Sequence, residues 1–134
     1  MVKMEEAPLL VNDIMTKKVI TVHADESVSE VIKSMISNDI SGLIVLDYIG
    51  DVVGMISAID IFKVFNESDE RNQDFLAEDI MTPYMIDIQA EMSAEDAAKI
   101  MLEKGIHRLV VTVSPSKKKP VGIITSTDIV RAFG

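Results

Sequence analysis

The chain has 134 residues, of which 48% are hydrophobic and only 4% aromatic, so one compact domain or two half-domains can form around an aliphatic core. Its net charge of −9 argues against nucleic-acid and anionic membrane partners, because both need a basic surface. The sequence has no cysteine for disulfide or thiolate chemistry and no stretch typical of a membrane span or signal peptide. We therefore expect a soluble, cytoplasmic protein.

The first half of the chain predicts three strands and two helices in the order β-α-β-β-α. After a lead-in over residues 1–10, hydrophobic periodicity and turn signals define a first repeat over residues 11–65. Its predicted elements are strand 19–22, helix 28–38, strand 43–46, strand 52–56 and helix 58–65. The first helix begins with Ser27 and Glu30 at the spacing of a capping box.

The second half repeats this order after a polar linker over residues 66–76, for which we expect some helix near residues 74–77. The second repeat covers residues 77–134. Its predicted elements are strand 85–88, helix 94–104, strand 109–113, strand 121–124 and helix 126–133. The basic run at residues 117–119 is expected in a solvated loop between strands, with an anion or partner contact as the alternative.

The two halves are copies of one another. The sequence Asp-Ile-Met-Thr occurs at residues 13–16 and 79–82, and about 18 of the 47 aligned positions are identical. One repeat of roughly 55 residues buries too little apolar area to be stable alone. We therefore expect an α/β (α+β) fold in which the two repeats pack sheet to sheet with pseudo-two-fold symmetry, leaving clefts lined by both.

The sharpest motif is a glycine, two apolar residues, Ser or Thr, two further residues and an aspartate, where the last strand of each repeat meets its last helix. Its polar members and glycines are Gly54, Ser57 and Asp60, and then Gly122, Thr125 and Asp128. The hydroxyl can cap the helix or bind a phosphate at its N-terminus. The carboxylate can accept two hydrogen bonds from the vicinal diol of a ribose. The alternative is a purely structural pair of N-caps.

With these motifs the chain resembles the cystathionine β-synthase (CBS) domain family, in which two repeats form a tandem pair called a Bateman module. The resemblance rests on residues 13–16, 19–22 and 43–45, on the motif at residues 54–60, and on their second copies. It covers about residues 11–134.

The resemblance implies clefts that bind adenosine compounds such as AMP, ADP or ATP, and in some members S-adenosylmethionine or NAD. In that family, early residues of one repeat hold the base, and the Ser/Thr and Asp of the other hold ribose and phosphate. One cleft of this chain would use Thr16, Ile20, Ile40, Ser41 and Gly42, with Ile123, Thr125 and Asp128 opposite. The other would use Thr82, Ile86, Ile106 and His107, with Ile56, Ser57 and Asp60 opposite.

The resemblance also implies that the two clefts are unequal. His107 and Arg108 stand where the first repeat has Ser41 and Gly42. In related members, a basic residue at the position of Arg108 reaches the phosphates of the cleft that contains its own repeat's aspartate. Because guanidinium–phosphate hydrogen bonds are charge-assisted, we expect the Asp128 cleft to bind phosphorylated adenosine more tightly. The alternative for Arg108 is a solvated residue at the start of a strand.

The leading interpretation is a regulatory sensor without an obligatory cofactor, metal or catalytic residue. A bound nucleotide would favour one arrangement of the repeats, which an unidentified regulated protein would read. The family resemblance also implies a homodimer, with candidate contacts on the outer faces of the last helices. These are Ile61, Phe62 and Phe65, and Ile129, Val130 and Phe133. The alternatives are a structural dimerisation module with vestigial clefts, and an enzyme, which the lack of a nucleophile–base set disfavours.

Overall fold

The computed structural model describes residues 7–67, 75–83 and 86–134 of the chain. The helices are α1 (Val11–Ile14), α2 (Val28–Asn38), α3 (Ala58–Glu67), α4 (Ala77–Ile80), α5 (Ala94–Lys104) and α6 (Ser126–Phe133). The strands are β1 (Thr21–His23), β2 (Gly42–Leu46), β3 (Val52–Ser57), β4 (Thr82–Pro83), β5 (Asp87–Gln89), β6 (Arg108–Ser114) and β7 (Lys117–Thr125). None of the helices in these described parts has the length and apolar character needed to cross a membrane.

The chain forms two compact units, each of which combines most of one repeat with the opening segment of the other. The first unit comprises residues 19–85, and the second comprises residues 1–18 together with residues 86–134. Each Asp-Ile-Met-Thr segment therefore packs on the sheet of the opposite repeat. Sequence periodicity did not indicate this exchange.

The first unit contains a four-stranded sheet in the order β1-β2-β3-β4. Strands β1 and β2 are parallel, and the other two pairs are antiparallel. Strand β2 is buried at its three central residues, of which Leu43 and Val45 belong to an aliphatic core. Leu43, Val45 and Ile56 are fully buried in this core.

The second unit contains a three-stranded sheet in the order β5-β6-β7, with β5 and β6 parallel and β6 and β7 antiparallel. Helix α1 contacts α5 and α6 of this unit. Its core includes Val11, Leu109, Val111 and Ile124, all with at most 1% of their surface exposed. The mixed α/β fold expected from the sequence is present in both units.

The long helices follow the sequence patterns closely. Helices α2, α5 and α6 have the predicted bounds, and α3 continues two residues further than predicted. The hydroxyl of Ser27 accepts a hydrogen bond from the N–H of Glu30 at 3.2 Å, as expected for an N-cap. The reciprocal half of the predicted capping box is replaced by an ion pair from Glu30 to Lys33.

Several predicted elements differ from the observed ones. The strands expected at 19–22 and 85–88 lie one to two residues later, at Thr21–His23 and Asp87–Gln89; residue 85 is outside the described residues. The short helices α1 and α4 were not predicted. They form because Asp13 and Asp79 accept hydrogen bonds from the N–H groups of Leu10 and Leu76, at 2.9 and 2.8 Å. Of the linker helix predicted near residues 74–77, residue 74 lies outside the described residues, Phe75 and Leu76 are not helical, and Ala77 is the first residue of α4.

The basic run at residues 117–119 was wrongly assigned to a loop. Pro115 and Ser116 form the turn, and β7 begins at Lys117, opposite Ser114 in the sheet. Lysines are uncommon in strands, so composition suggested a loop. The Lys118 ammonium offsets this preference by pairing with the carboxylate of Asp87.

The outer helix faces also need one correction. Ile61 and Ile129 were expected on exposed faces, but both pack into the cores of their units, with 7% and 6% of their surface exposed. The large apolar side chains that remain exposed on these two helices are Phe62, Phe65, Val130 and Phe133, together with Ile59.

Candidate functional site

The repeated motif occupies the same local position in both units. Strand β3 ends at Ser57, directly before α3, and β7 ends at Thr125, directly before α6. The hydroxyl and the aspartate three residues later therefore lie at a helix N-terminus, where free N–H groups favour anionic or hydroxyl-bearing ligands.

In the second unit, Thr125 and Asp128 form a reciprocal capping box. The Asp128 carboxylate accepts a hydrogen bond from the N–H of Thr125 at 2.9 Å, and the Thr125 hydroxyl accepts one from the N–H of Asp128 at 3.1 Å. Asp128 is half-buried. Both interactions leave one carboxylate oxygen, Oδ1, with no hydrogen-bond partner among the residues that the structure describes.

In the first unit, the carboxylate of Asp60 is more heavily engaged. Its Oδ2 accepts from the N–H of Ser57 at 2.9 Å and from the Ser57 hydroxyl at 3.3 Å. Its Oδ1 accepts from the hydroxyl of Thr82 at 3.1 Å. Asp60 is buried, with 8% of its surface exposed. The structure thus brings together the predicted residues Ser57, Asp60 and Thr82.

The threonines of the two exchanged segments occupy equivalent backbone positions. Thr82 pairs with Met55 of β3. Thr16 pairs with Ile123 of β7 through two backbone hydrogen bonds of 2.8 and 3.0 Å. The predicted association of Thr16 with Ile123 is therefore present.

The motif glycines permit this docking by their lack of a side chain. A Cβ at Gly54 would lie 2.6 Å from the sulfur of Met81, and a Cβ at Gly122 would lie 2.7 Å from the sulfur of Met15. Backbone oxygens of the following threonines lie 2.9 Å from both positions. Close approach, rather than a positive φ, explains why the motif has glycine here.

The residues before the second strand of each repeat border the motif of their own repeat. Arg108 is in register with Thr125, and the carbonyl of His107 accepts a hydrogen bond from the N–H of Ser126 at 2.8 Å. In the first unit, Gly42 is in register with Ser57, and the carbonyl of Ser41 accepts from the N–H of Ala58 at 3.2 Å. Arg108 therefore supplies a cation at the second motif where the first has Gly42.

The apolar side chains predicted to line the ligand sites fall into two groups, those that are partly buried and one that is fully buried. Ile20 and Ile40 are partly buried against the core of the first unit, and Ile86 and Ile106 against that of the second. Ile56 was expected to face a ligand, but its side chain is fully buried in the core. Its neighbour Met55 is half-buried and is the repeat equivalent of Ile123. Aligning the two motifs residue by residue would have identified Met55.

The base-binding residues of one repeat were expected opposite the aspartate of the other repeat. For most of these residues, this arrangement stays a prediction. Ile20, Ile40, Ser41 and Gly42 belong to the unit of Asp60, whereas Ile86, Ile106 and His107 belong to the unit of Asp128. Of the predicted base-binding residues, only Thr16 and Thr82 lie in the unit that contains the other repeat's aspartate. No cluster of His, Asp and Glu side chains suited to a metal ion occurs among residues 7–67, 75–83 and 86–134.

A polar cluster next to Ile86 was not predicted. Burial disfavours the charged form of Asp87 and by itself would raise its pKa. A hydrogen bond from Thr112, together with the hydrogen bonds and positive charge of Lys118, outweighs this effect, so the pKa of Asp87 lies below its ordinary value of 3.8. Gln89 donates to Thr112 at 3.1 Å. The first repeat has Thr21, His23 and Leu46 at the positions of Asp87, Gln89 and Thr112, so the cluster is specific to the second repeat.

Comparisons with known proteins agree on one family. The family model described as "CBS domain" matches residues 11–67 and again residues 77–134. The chain is 34% identical over 125 residues to L-aspartate semialdehyde sulfurtransferase of Methanocaldococcus jannaschii, a match that covers 93% of this chain and 23% of that protein. The chain thus spans about a quarter of the length of that relative.

Two solved structures extend the likeness to three dimensions. The CBS domain pair of protein MJ0100, in complex with 5′-methylthioadenosine and S-adenosyl-L-methionine, has a TM-score of 0.81 and 32% identity, covering 96% of this chain and 98% of that one. CBSX2 in complex with AMP has a TM-score of 0.77 and 29% identity, covering 93% and 96% of the two chains.

Proposed function

This chain belongs to the CBS domain family as a tandem pair, and on that premise we propose that it binds adenosine-containing ligands and regulates a partner protein in response. The observation that carries the proposal is the similarity, over almost the whole chain, to CBS pairs solved with AMP and with S-adenosylmethionine and methylthioadenosine. The proposed ligands are AMP, ADP or ATP, with S-adenosylmethionine or NAD as the alternatives.

The contacts at Asp128 support this binding role. Its Oδ1 can accept a ribose hydroxyl, the N-terminus of α6 favours a phosphate, and Arg108 borders the same motif. Ile123 lies beside Thr125 on β7, where an apolar side chain can contact a base. The chemistry of this group of residues is binding rather than bond cleavage, so we propose a module that does not transform its ligand.

The regulatory step would be a linkage between ligand binding and conformation. Each unit contains a segment of the other repeat, so a ligand that changes the position of such a segment acts on both halves of the chain. A ligand shifts a conformational equilibrium only by its difference in affinity for the two states. The regulated partner would recognise the favoured state.

A homodimer is the proposed assembly. Helices α3 and α6 expose apolar side chains at equivalent positions of the two repeats: Phe62 and Val130, and Phe65 and Phe133. Such repeated exposure on helices otherwise packed on a core is typical of protein contacts. The competing function is a dimerisation module whose ligand sites are vestigial.

Titration of the purified chain with AMP, followed by thermal melting, tests ligand binding. A specific ligand should raise the melting temperature by about 4–8 °C for each kcal/mol of binding stabilisation in a domain of about 100 residues, and by less in a longer chain. Asp128→Ala should remove most of this rise.

Arg108→Met should weaken AMP binding about tenfold or more, because a hydrogen bond to a charged group contributes about 1.5–3 kcal/mol.

Adenosine, which has no phosphate, is the matched ligand for the Arg108 variant and should bind the variant and the wild type with similar affinity. Asp60→Ala is the matched substitution for Asp128→Ala and should weaken AMP binding less. Absence of any shift with AMP, ADP, ATP, S-adenosylmethionine, methylthioadenosine and NAD would instead favour the vestigial-site alternative.

A further inference from the structure

The two motif aspartates differ in how fully their oxygens are occupied. Asp60 accepts three hydrogen bonds on two oxygens and is 8% exposed. Asp128 accepts one, on Oδ2, within the described part of the chain, and is half-buried. A vicinal diol needs free carboxylate lone pairs, so the two motifs are unequal before any ligand arrives.

The difference arises from one hydroxyl in an exchanged segment. Thr82 and Thr16 hold equivalent places beside β3 and β7, yet only the Thr82 hydroxyl donates to its aspartate. The hydroxyls of Ser57 and Thr125 also differ, and this difference again leaves the Asp60 carboxylate more fully hydrogen-bonded than that of Asp128. Ser57 donates to Asp60, whereas Thr125 accepts from the N–H of Asp128 and leaves that carboxylate more open.

We propose that Thr82 is an internal lock on Asp60, occupying the oxygen that a ribose hydroxyl would use. This inference rests on the proposed adenosine-binding function. A ligand at Asp60 must replace a bond that the protein makes within itself, and the internal bond carries no cost of association. The Asp128 motif therefore fills first, and the Asp60 motif accepts a ligand only when the Thr82 hydroxyl releases Oδ1 of Asp60.

Removing the Thr82 hydroxyl should open the second site. Valine has the shape of threonine and favours strands, so Thr82→Val breaks the hydrogen bond while keeping the backbone pairing of β4. Calorimetric titration with AMP should give one site per wild-type chain, removed by Asp128→Asn. The Thr82→Val variant should give two sites, and Thr82→Val combined with Asp60→Asn should return to one.

One further variant sharpens the comparison. Thr82→Ser retains a hydroxyl and should keep one site. Circular dichroism of each variant reports folding, and Thr82→Ala replaces Thr82→Val if the valine variant is unfolded.

The possible outcomes distinguish a failure of the proposed Thr82 lock from a failure of the proposed adenosine binding. Two equivalent AMP sites in the wild type, or an unchanged or reduced number of sites in both Thr82→Val and Thr82→Ala, overturns the lock and leaves adenosine binding standing. No AMP binding in the wild type or in any Thr82 variant overturns adenosine-nucleotide binding and the lock together.

Discussion

The carboxylate of Asp87 is held by partners from two other strands of its sheet. Thr112 on β6 donates a hydrogen bond to it, and Lys118 on β7 approaches its two oxygens at 3.0 and 3.2 Å. Thr112 is itself buried, with 1% of its surface exposed. Because buried polar groups are costly when unpaired, this cluster ties β5, β6 and β7 together.

This cluster predicts a pH dependence of stability. The folded pKa of Asp87 lies below its ordinary value of 3.8, so its stabilising contribution is complete above that value. The contribution is lost as the pH falls from there through the lowered folded pKa. Asp87→Asn should therefore reduce the free energy of unfolding by about 1–3 kcal/mol at pH 7. In urea titrations, the gap to wild type should shrink as the pH approaches 3.

Asp25→Asn is the matched control for this substitution. Asp25 is exposed, and its replacement changes the net charge equally, so the variant should follow the wild-type curve closely at every pH. A gap between Asp87→Asn and wild type that stays constant from pH 7 to pH 3 would contradict the assigned role of the carboxylate.

At the scale of elements, each unit depends on docking of a short segment against a longer strand. Thr16 and Thr82 add a minimal pairing to β7 and β3, and the preceding methionine lies over a motif glycine. The short helices α1 and α4 orient these segments, and their buried residues Val11 and Ala77 belong to the two cores. Apolar burial thus holds each segment, and the glycine lets it approach.

Gly122→Ala tests this docking. The new Cβ would lie 2.7 Å from the Met15 sulfur and 2.9 Å from the Thr16 carbonyl oxygen, and the backbone oxygen cannot move without breaking its strand pairing. We expect a loss of about 1–3 kcal/mol in the free energy of unfolding, as for other overpacked sites. Thermal or urea unfolding measures it.

The matched control is Gly134→Ala, where the nearest atom to a Cβ lies at 3.4 Å. Its unfolding should match that of the wild type within about 0.5 kcal/mol. Equal stability of Gly122→Ala and Gly134→Ala would show that Met15 and Thr16 are not packed against β7 as described.

For the whole molecule, the exposed faces of α3 and α6 predict self-association. Replacing both Phe62 and Phe133 with Glu should yield monomers, because burying unpaired carboxylates in an apolar interface is energetically unfavourable. Sedimentation equilibrium gives the mass directly. Tyr48→Glu is the control, since Tyr48 is 95% exposed in the turn after β2 and lies outside these helices. A monomeric wild type would contradict the proposed homodimer.

Much of the fold was predictable because its signals are local. Helices α2 and α5 have Ser N-caps and a residue in the left-handed conformation after the last turn, Asp39 and Gly105, whose φ angles are 52° and 65°. The paired motifs were visible as a repeat. The short helices α1 and α4 escaped prediction because four residues are too few to show helical periodicity. The lysine-containing part of β7 escaped prediction because it depends on a partner distant in the chain, Asp87 for Lys118.

The amino-acid sequence by itself determined the duplication, the long helices, the position of each motif at a strand–helix junction and the cation at Arg108. Tertiary structure decided which segment docks on which sheet and that Ile56 faces the core. It also decided that both carboxylate oxygens of Asp60 accept hydrogen bonds, whereas Oδ1 of Asp128 accepts none among the described residues. The Asp60 contact joins residues 22 positions apart in the chain. Such contacts depend on how whole segments pack, and no spacing between neighbouring residues encodes them.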